Sequence, residues 1–375
     1  MRWIALVALL AGCHGHDHDS SERDTKGRSA AIVGNDKPTS AKVDAGPPSL
    51  RVHRAPLLSD VNGDGHDDAV VIADSKGGPY GLVAVDGTNG KTLWQSDPIE
   101  HWSNPVFVVS GTALMSDDGG SLVAYDFKST KPAWTAALGE RVKQLCEGPD
   151  PTQVRVLLAD QRAHYLTLKT GEQAPAPKAA ACKAIPSNKR DYKPDDGATA
   201  TATKVGDRIA CSKRTIITPS GTTSVPNPCK ARSPIDLDSL DGFAVYEMIV
   251  VDGGFLLSGV HRPGTAYPVI GLLKGRAVAW KSDVPDGNPL LADGGNKSVA
   301  LVGNQVVVAY ESARKPYVTA FAMDTGHRDW VVPFPFDRAP VLSGSKDTIF
   351  AFADVPDALV GFAPASGATL FSLGR

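Results

Sequence analysis

The sequence predicts an all-β fold in which four-stranded sheets stack radially as the blades of a β-propeller. Three observations predict it. A strand–turn–strand unit recurs every 40 to 55 residues, its strands alternate apolar and polar side chains, and the units fill about 325 residues, too many for one ordinary compact core.

Residues 82–94 read L-V-A-V-D-G-T-N-G-K-T-L-W and residues 122–134 read L-V-A-Y-D-F-K-S-T-K-P-A-W, two copies offset by 40 residues. Each is an alternating strand, a tight turn and a second strand ending in Trp. A copy at 164–173 keeps the strand and the Thr170-Gly171 turn and lacks the Trp. Further copies start at Arg214, Val269, Val318 and Leu359, making seven hairpins. Alternation buries one face of each strand, and the N-G, T-G or S-G pair supplies the positive φ of a tight hairpin turn. Two more strand-like runs separate successive hairpins, as from Pro105 and from Lys297, so each unit is a four-stranded meander. Alone, such a sheet would leave an apolar face wet; radial stacking covers both faces and leaves only short edges. Seven blades are expected, and an eighth would have to lie in the degenerate stretch 178–245.

The L-V-A-V-D-x-x-x-G-K-x-L-W pattern resembles the repeat of the pyrroloquinoline-quinone-like (PQQ-like) propeller family. The resemblance covers nearly all of the chain after residue 55 and is best at 79–98, 119–138 and 316–333. It implies that the recurrent Trp packs between adjacent blades, a structural role that falls to Trp94, Trp134, Trp280 and Trp330. Quinone-dependent dehydrogenases of the family resemble longer, eight-bladed chains with two adjacent cysteines over the cofactor. No adjacent cysteines occur here, so no PQQ is expected. The sequence also lacks G-x-S-x-G, H-E-x-x-H, Walker and G-x-G-x-x-G motifs, and the histidines at 53, 66, 101, 164, 261 and 327 stand singly. The expectation is a chain that is not an enzyme, with a quinone-dependent or other channel-site enzyme as the weakest alternative.

The amino terminus, M-R-W-I-A-L-V-A-L-L-A-G-C, has one positive charge, an apolar run too short to span a bilayer, and small residues before Cys13. Leu10 to Cys13 resemble a bacterial lipobox, which implies a signal peptide over 1–12 and a lipidated Cys13. Each buried acyl methylene is worth about 0.8 kcal/mol, and more than one chain anchors stably. His14, rather than Asp, follows the cysteine, which by the resemblance favours the outer membrane, on its periplasmic or surface face. From 13 to 49 the chain has no Phe, Trp or Tyr and few large aliphatics, so it is expected to be a flexible stalk before a propeller over 50–375. Its H-G-H-D-H-D segment offers His14, His16 and His18 as a weak metal site without supporting contacts.

Residues 60–71, D-V-N-G-D-G-H-D-D-A-V-V, carry the sharpest chemical motif. Oxygen donors recur at Asp60, Asn62, Asp64, the His66 carbonyl and Asp68, with Gly65 at the bend. Calcium takes six to eight hard oxygens and needs such a curl. The residue where an EF-hand places its bidentate Glu is Val71, and a strand-like run follows instead of a helix. The segment therefore resembles the D-x-N-x-D-G-x-x-D loop of integrin-type FG-GAP propeller repeats. A structural calcium ion is expected on a peripheral turn before the first blade.

Thirty-nine basic and 41 acidic residues nearly balance, and no basic run points to nucleic acid. Cys146, Cys182, Cys211 and Cys229 are an even set in an exported chain, so disulfides are expected; of three pairings, Cys146 with Cys182 and Cys211 with Cys229 are favoured, each falling in neighbouring or shared strands. The reading is a monomeric, envelope-anchored scaffold for another envelope protein or a surface ligand. In length and repeat type it is similar to the propeller lipoprotein of the outer-membrane barrel assembly machinery; a calcium-responsive surface adhesin is the second reading. Replacing Cys13 by Ser should move the chain from the detergent phase to the aqueous phase in a Triton X-114 partition, and unchanged partitioning would remove the lipid anchor.

Overall fold

A computed structural model of the chain describes residues 50–75, 77–176, 182–188, 208–210, 243–261, 267–274, 277–284, 287–288 and 299–374. They belong to one compact unit, Val43–Arg375. Cys13, His14, His16, His18, Cys211, Cys229 and the hairpin copy from Arg214 lie outside the described residues.

Among the described residues all regular structure is β, in six sheets. The first sheet holds β1 (Leu50–Val52), β2 (Leu57–Ser59), β3 (Asp68–Ser75), β4 (Gly81–Val85) and β5 (Thr92–Gln95). The second is β6 (Val106–Val109), β7 (Thr112–Ser116), β8 (Ser121–Tyr125) and β9 (Trp134–Ala137); the third is β10 (Val142–Glu147), β11 (Gln153–Leu158) and β12 (Ala163–Thr167). The fourth runs through β13 (Arg208–Ala210), β14 (Phe243–Val251), β15 (Gly254–His261), β16 (Tyr267–Lys274) and β17 (Ala277–Asp283). The fifth has β18 (Gly287–Asn288), β19 (Val299–Val302), β20 (Gln305–Ser312), β21 (Lys315–Ala322) and β22 (Arg328–Pro333). The sixth has β23 (Val341–Gly344), β24 (Ile349–Ala353), β25 (Ala358–Phe362) and β26 (Thr369–Leu373). All pairings are antiparallel between neighbours in the chain, save that β1 and β2 both pair with β3 and β18 and β19 both pair with β20.

Strand burial follows position in the sheet. β3, β4, β24 and β25 are buried on nearly every residue, as strands covered on both faces must be, and the last strands β5 and β22 are largely exposed. The core is therefore a series of layers between sheets. Val70, Leu82 and Trp94 of the first sheet pack with Val106 and Tyr125 of the second, and Leu114 and Leu122 of the second pack with Leu145 and Val156 of the third. Leu256 and Trp280 of the fourth meet Val306 and Phe321 of the fifth, whose Val307 and Val318 meet Ile349 and Val360 of the sixth. The sixth sheet then packs on the first, Phe350, Phe352 and Phe371 against Val52, Val71 and Val83.

One contact recurs between sheets. The indole N–H of Trp134 donates to the Leu168 carbonyl at 2.8 Å, that of Trp280 to Met323 at 2.8 Å, that of Trp330 to Pro364 at 2.7 Å and that of Trp94 to Ser129 at 3.0 Å. Ser129, Met323 and Pro364 belong to the turn before the last strand of the next sheet, and Leu168 to the turn that follows β12 in the third. The rings of Trp134, Trp280 and Trp330 lie over Gly171, Gly326 and Gly367 so closely that a Cβ there would stand 2.5, 2.4 and 2.6 Å from the indole. These glycines also have φ of 71°, 68° and 69°. They serve twice, making the turn and giving the ring its seat. At the return to the first sheet Phe371 takes the aromatic's place, over Gly90 at 2.5 Å. The rings share a register too: Trp94, Trp134, Trp280, Trp330 and Phe371 stand opposite Ala84, Ala124, Leu272, Ala320 and Gly361. In four of the five sheets a bulge follows that pair and pushes one residue out of the ladder, which accounts for exposed Leu93 and Leu370.

The third sheet shows a second device. Residues 182–188 return after β12 and lie along the free edges of β10 and β6. Cys146 pairs with Ala184 and Phe107 with Ser187, while the Asn188 side-chain oxygen accepts from Val106 N–H at 2.9 Å. A disulfide between Cys146 and Cys182 pins the strap's start.

Gly326→Ala should destabilise the chain by about 2–4 kcal/mol, since the methyl meets both a left-handed backbone and the Trp280 ring. Gly303→Ala, with φ of 54° and open space around its Cβ, should cost only about 1 kcal/mol. Equal costs in thermal or chemical unfolding would show that the aromatic seat does not hold the sheets together.

Candidate functional site

The acidic loop joins β2 to β3. Asp60 caps it: one carboxylate oxygen accepts from the N–H groups of Gly63 and Asp64 at 2.7 and 3.1 Å, the other from Gly65 at 3.0 Å. The Asn62 side-chain oxygen accepts from Asp64 N–H at 2.9 Å, and Asp64 accepts from His66 N–H at 2.8 Å. That N–H, with the Asn62 amide, holds the Asp64 carboxyl below the usual carboxylate range. Gly63 and Gly65 have φ of 78° and 86°, the curl that lets successive N–H groups face one carboxylate.

Asp68 opens β3 and is fully buried. Burial pushes its carboxyl upward, countered by the N–H groups of Val61 and Gly87 at 2.9 and 3.2 Å. Four oxygen-bearing side chains on a curled loop fit calcium by chemistry. As folded here, those oxygens close on the loop's own N–H groups, and among the described residues no group of three or more His, Cys, Asp or Glu is placed to hold a metal ion.

The loop is largely exposed, and it makes a contact across to the sixth sheet. The His66 ring nitrogen Nδ1 lies 2.8 Å from the Asp347 carboxylate in the turn between β23 and β24, and the Thr348 hydroxyl donates to the Gly87 carbonyl at 2.8 Å. The motif therefore sits where the sixth sheet meets the first. Packing of the chain's two ends brings Asp347 to it, and the motif itself holds no trace of that contact.

A second polar cluster occupies the same junction. Asp74, at the end of β3 and almost wholly buried, takes a two-pronged contact from Arg51 at 3.0 and 2.9 Å. Its second oxygen also lies 2.6 Å from His53 Nε2. Burial alone would raise the Asp74 carboxyl; the Arg51 guanidinium, the Gly77 N–H and His53 outweigh it and hold the group below its ordinary value. His53 Nδ1 faces Asp357 of the sixth sheet at 3.5 Å, and its ring stands against Tyr80 and Trp102. The Arg54 guanidinium lies 4.8 Å over the Trp102 ring, which is 41% exposed. An exposed Trp beside Arg, Tyr and His has the composition of a protein-binding hot spot. Sequence reading took His53 as one more lone histidine and did not mark Asp74; they are 21 residues apart and meet because β1 pairs with the end of β3.

Among the other sequence-marked positions, Trp94, Trp134, Trp280 and Trp330 are the inter-sheet rings described above. His164 lies beside the Gln173 amide.

Comparison with known proteins bears on the repeat. A family profile described as "Outer membrane protein assembly factor BamB", of the PQQ-like type, matches residues 80–175. No curated protein matches the chain in sequence. Among solved structures, BamB from Moraxella catarrhalis is 15% identical, covering 86% of this chain and 77% of that one at a TM-score of 0.25. The β-propeller domain of Cps50 (Swd1) from Myceliophteria thermophila is 10% identical, covering 84% of this chain and 98% of that one at a TM-score of 0.40. Such loose superpositions add no weight to the architecture, which rests on the sheets themselves and on the matched repeat. The chain is thus all-β, with propeller-type sheets layered face to face and latched by a recurrent aromatic, and its residues 80–175 are similar to the PQQ-like repeat of BamB.

Proposed function

We propose that this chain is a lipid-anchored scaffold of the bacterial envelope, held in the outer membrane through Cys13, whose propeller binds a second envelope protein as a monomer and performs no catalysis. The observation that carries the reading is the match of residues 80–175 to the profile of an outer membrane protein assembly factor. The construction supports it. Among the described residues the apolar layers bury most of the large aliphatic side chains, so the chemistry left for a partner is in turns and strand ends, as at Trp102 and Arg54. Crosslinking in native membranes, followed by purification of the tagged chain, should enrich one or more envelope proteins over an untagged control; the absence of any enriched protein would overturn the scaffold.

A second reading, a calcium-responsive adhesin, is favoured by Asp68. Its fully buried carboxylate is met by backbone N–H groups, and a divalent ion would compensate its charge while stiffening the junction of the first and sixth sheets. The role is structural, and Asp60, Asn62, Asp64 and the His66 carbonyl would supply the remaining oxygens. Calorimetry should show calcium binding by the wild type, a rise in its melting temperature with calcium, and loss of both in Asp64→Ala. Identical responses in the two proteins would end this reading.

A further inference from the structure

Two consecutive residues of the first sheet region fasten on one residue of the sixth. Val52 N–H donates to the Asp357 carbonyl at 2.8 Å, and His53 Nδ1 stands 3.5 Å from the Asp357 carboxylate, in the turn between β24 and β25. The other face of the imidazole's bonding belongs to the first sheet, where Nε2 lies 2.6 Å from Asp74 Oδ2. The imidazole is held in this position. His53 N–H donates to the Ile72 carbonyl at 2.9 Å, Tyr80 stands edge-on with ring centroids 5.2 Å apart, Trp102 flanks it at 6.1 Å, and the side chain is only 12% exposed.

Asp74 decides which nitrogen carries a hydrogen. Burial would raise this carboxyl, but Arg51, the Gly77 N–H and His53 outweigh it and keep the group ionised at neutral pH. Two lone pairs facing each other at 2.6 Å would repel, so Nε2 carries a hydrogen and donates it to Asp74. In the neutral imidazole Nδ1 is then bare, and its lone pair faces the Asp357 carboxylate. The proton that charges the imidazole arrives at Nδ1, the nitrogen that faces across the junction.

We propose that His53 is a proton-operated clasp between the two ends of the chain: with a proton on Nδ1 it bridges Asp74 of the first sheet and Asp357 of the sixth, and loss of that proton slackens the junction. The charged groups placed around it set the sense. Arg51 and Arg54 disfavour charge on the imidazole, and Asp74 and Asp357 favour it. Both carboxylates face its nitrogens directly, whereas Arg51 is turned on Asp74 and Arg54 on the Trp102 ring, so the nearer charges prevail. Tyr80 and Trp102 add flanking rings. A fold that favours the charged imidazole is stabilised at the acid end of the range in which imidazoles titrate, about pH 5 to 8, and loses that stabilisation as pH rises.

Hydrogen exchange read by mass spectrometry on the full chain tests this at the Val52 amide, whose bond to Asp357 opens with the junction. After correction for the intrinsic exchange rate, the peptide that holds Val52 should be protected about threefold or more at pH 6 relative to pH 8. Asp357→Asn keeps the Asp74 contact, removes the far charge, and suits the φ of 64° at that position; it should abolish the difference, and so should His53→Gln. His164→Gln, at the imidazole beside Gln173 on the third sheet, should leave the difference in place. Nitrogen-15 NMR of labelled histidine should show neutral His53 with its hydrogen on Nε2. Equal protection at the two pH values in the wild type overturns the clasp. So does a difference that survives in Asp357→Asn, one that vanishes in His164→Gln, or a neutral His53 with its hydrogen on Nδ1. Should His53→Gln fail to fold, the comparison of wild type with Asp357→Asn decides alone. The inference does not rest on the scaffold reading, and either can fail without the other.

Discussion

The contact between an aromatic ring on the last strand of one sheet and the turn glycine of the next is the constraint on which the rest of this structure depends. A four-stranded meander has two apolar faces and cannot hide both by itself. Dispersion between flat sheets is unspecific and would permit them to slide. Seating Trp134 on Gly171, Trp280 on Gly326 and Trp330 on Gly367, with each indole N–H spent on a carbonyl of that same turn, gives those three junctions one register. Full burial of one aromatic ring is worth on the order of 3 kcal/mol, so several such seats amount to a large share of the stability of an ordinary domain.

The junction of the sixth and first sheets differs from the others. Phe371 replaces Trp and so brings no N–H, and polar contacts are concentrated there instead. His66 meets Asp347, Thr348 meets Gly87, and Val52 N–H reaches the Asp357 carbonyl at 2.8 Å. Both the acidic loop and the His53–Asp74 cluster lie at this junction. A joint made from the two ends of a chain carries the largest loop-closure entropy, and directional contacts to charged groups suit it better than apolar area alone.

The strap of residues 182–188 shows how the frame closes two of its free edges. It occupies the free edges of β6 and β10, which would otherwise offer unpaired N–H and C=O groups for pairing with another chain. The same few residues thus guard against edge-to-edge association.

Periodicity made the architecture legible from sequence, because a strand that alternates every second residue and a turn that needs positive φ leave local marks. Six of the seven hairpin copies fall in six separate sheets, and the seventh, from Arg214, lies outside the described residues. The Cys146–Cys182 pair was legible for a similar reason, since the repeat placed both cysteines near one sheet. Phe371 was not recognised as a fifth latch although it ends a copy of the repeat, because the eye follows Trp and the equivalence is one of position over a glycine. The Asp60–Asp68 pattern could be read as a curled, oxygen-rich loop, yet its neighbour Asp347 is 281 residues from His66.

By itself the sequence determined which segments are strands, where the chain turns, and which rings are available to join sheets. Those properties follow from backbone sterics and side-chain pattern within a dozen residues. Only the tertiary structure decided what stands across each junction: Phe371 on Gly90, His53 between Asp74 and Asp357, the strap along β10 and β6. Such meetings depend on how whole sheets are layered, and no local regularity of a chain encodes the identity of a distant neighbour.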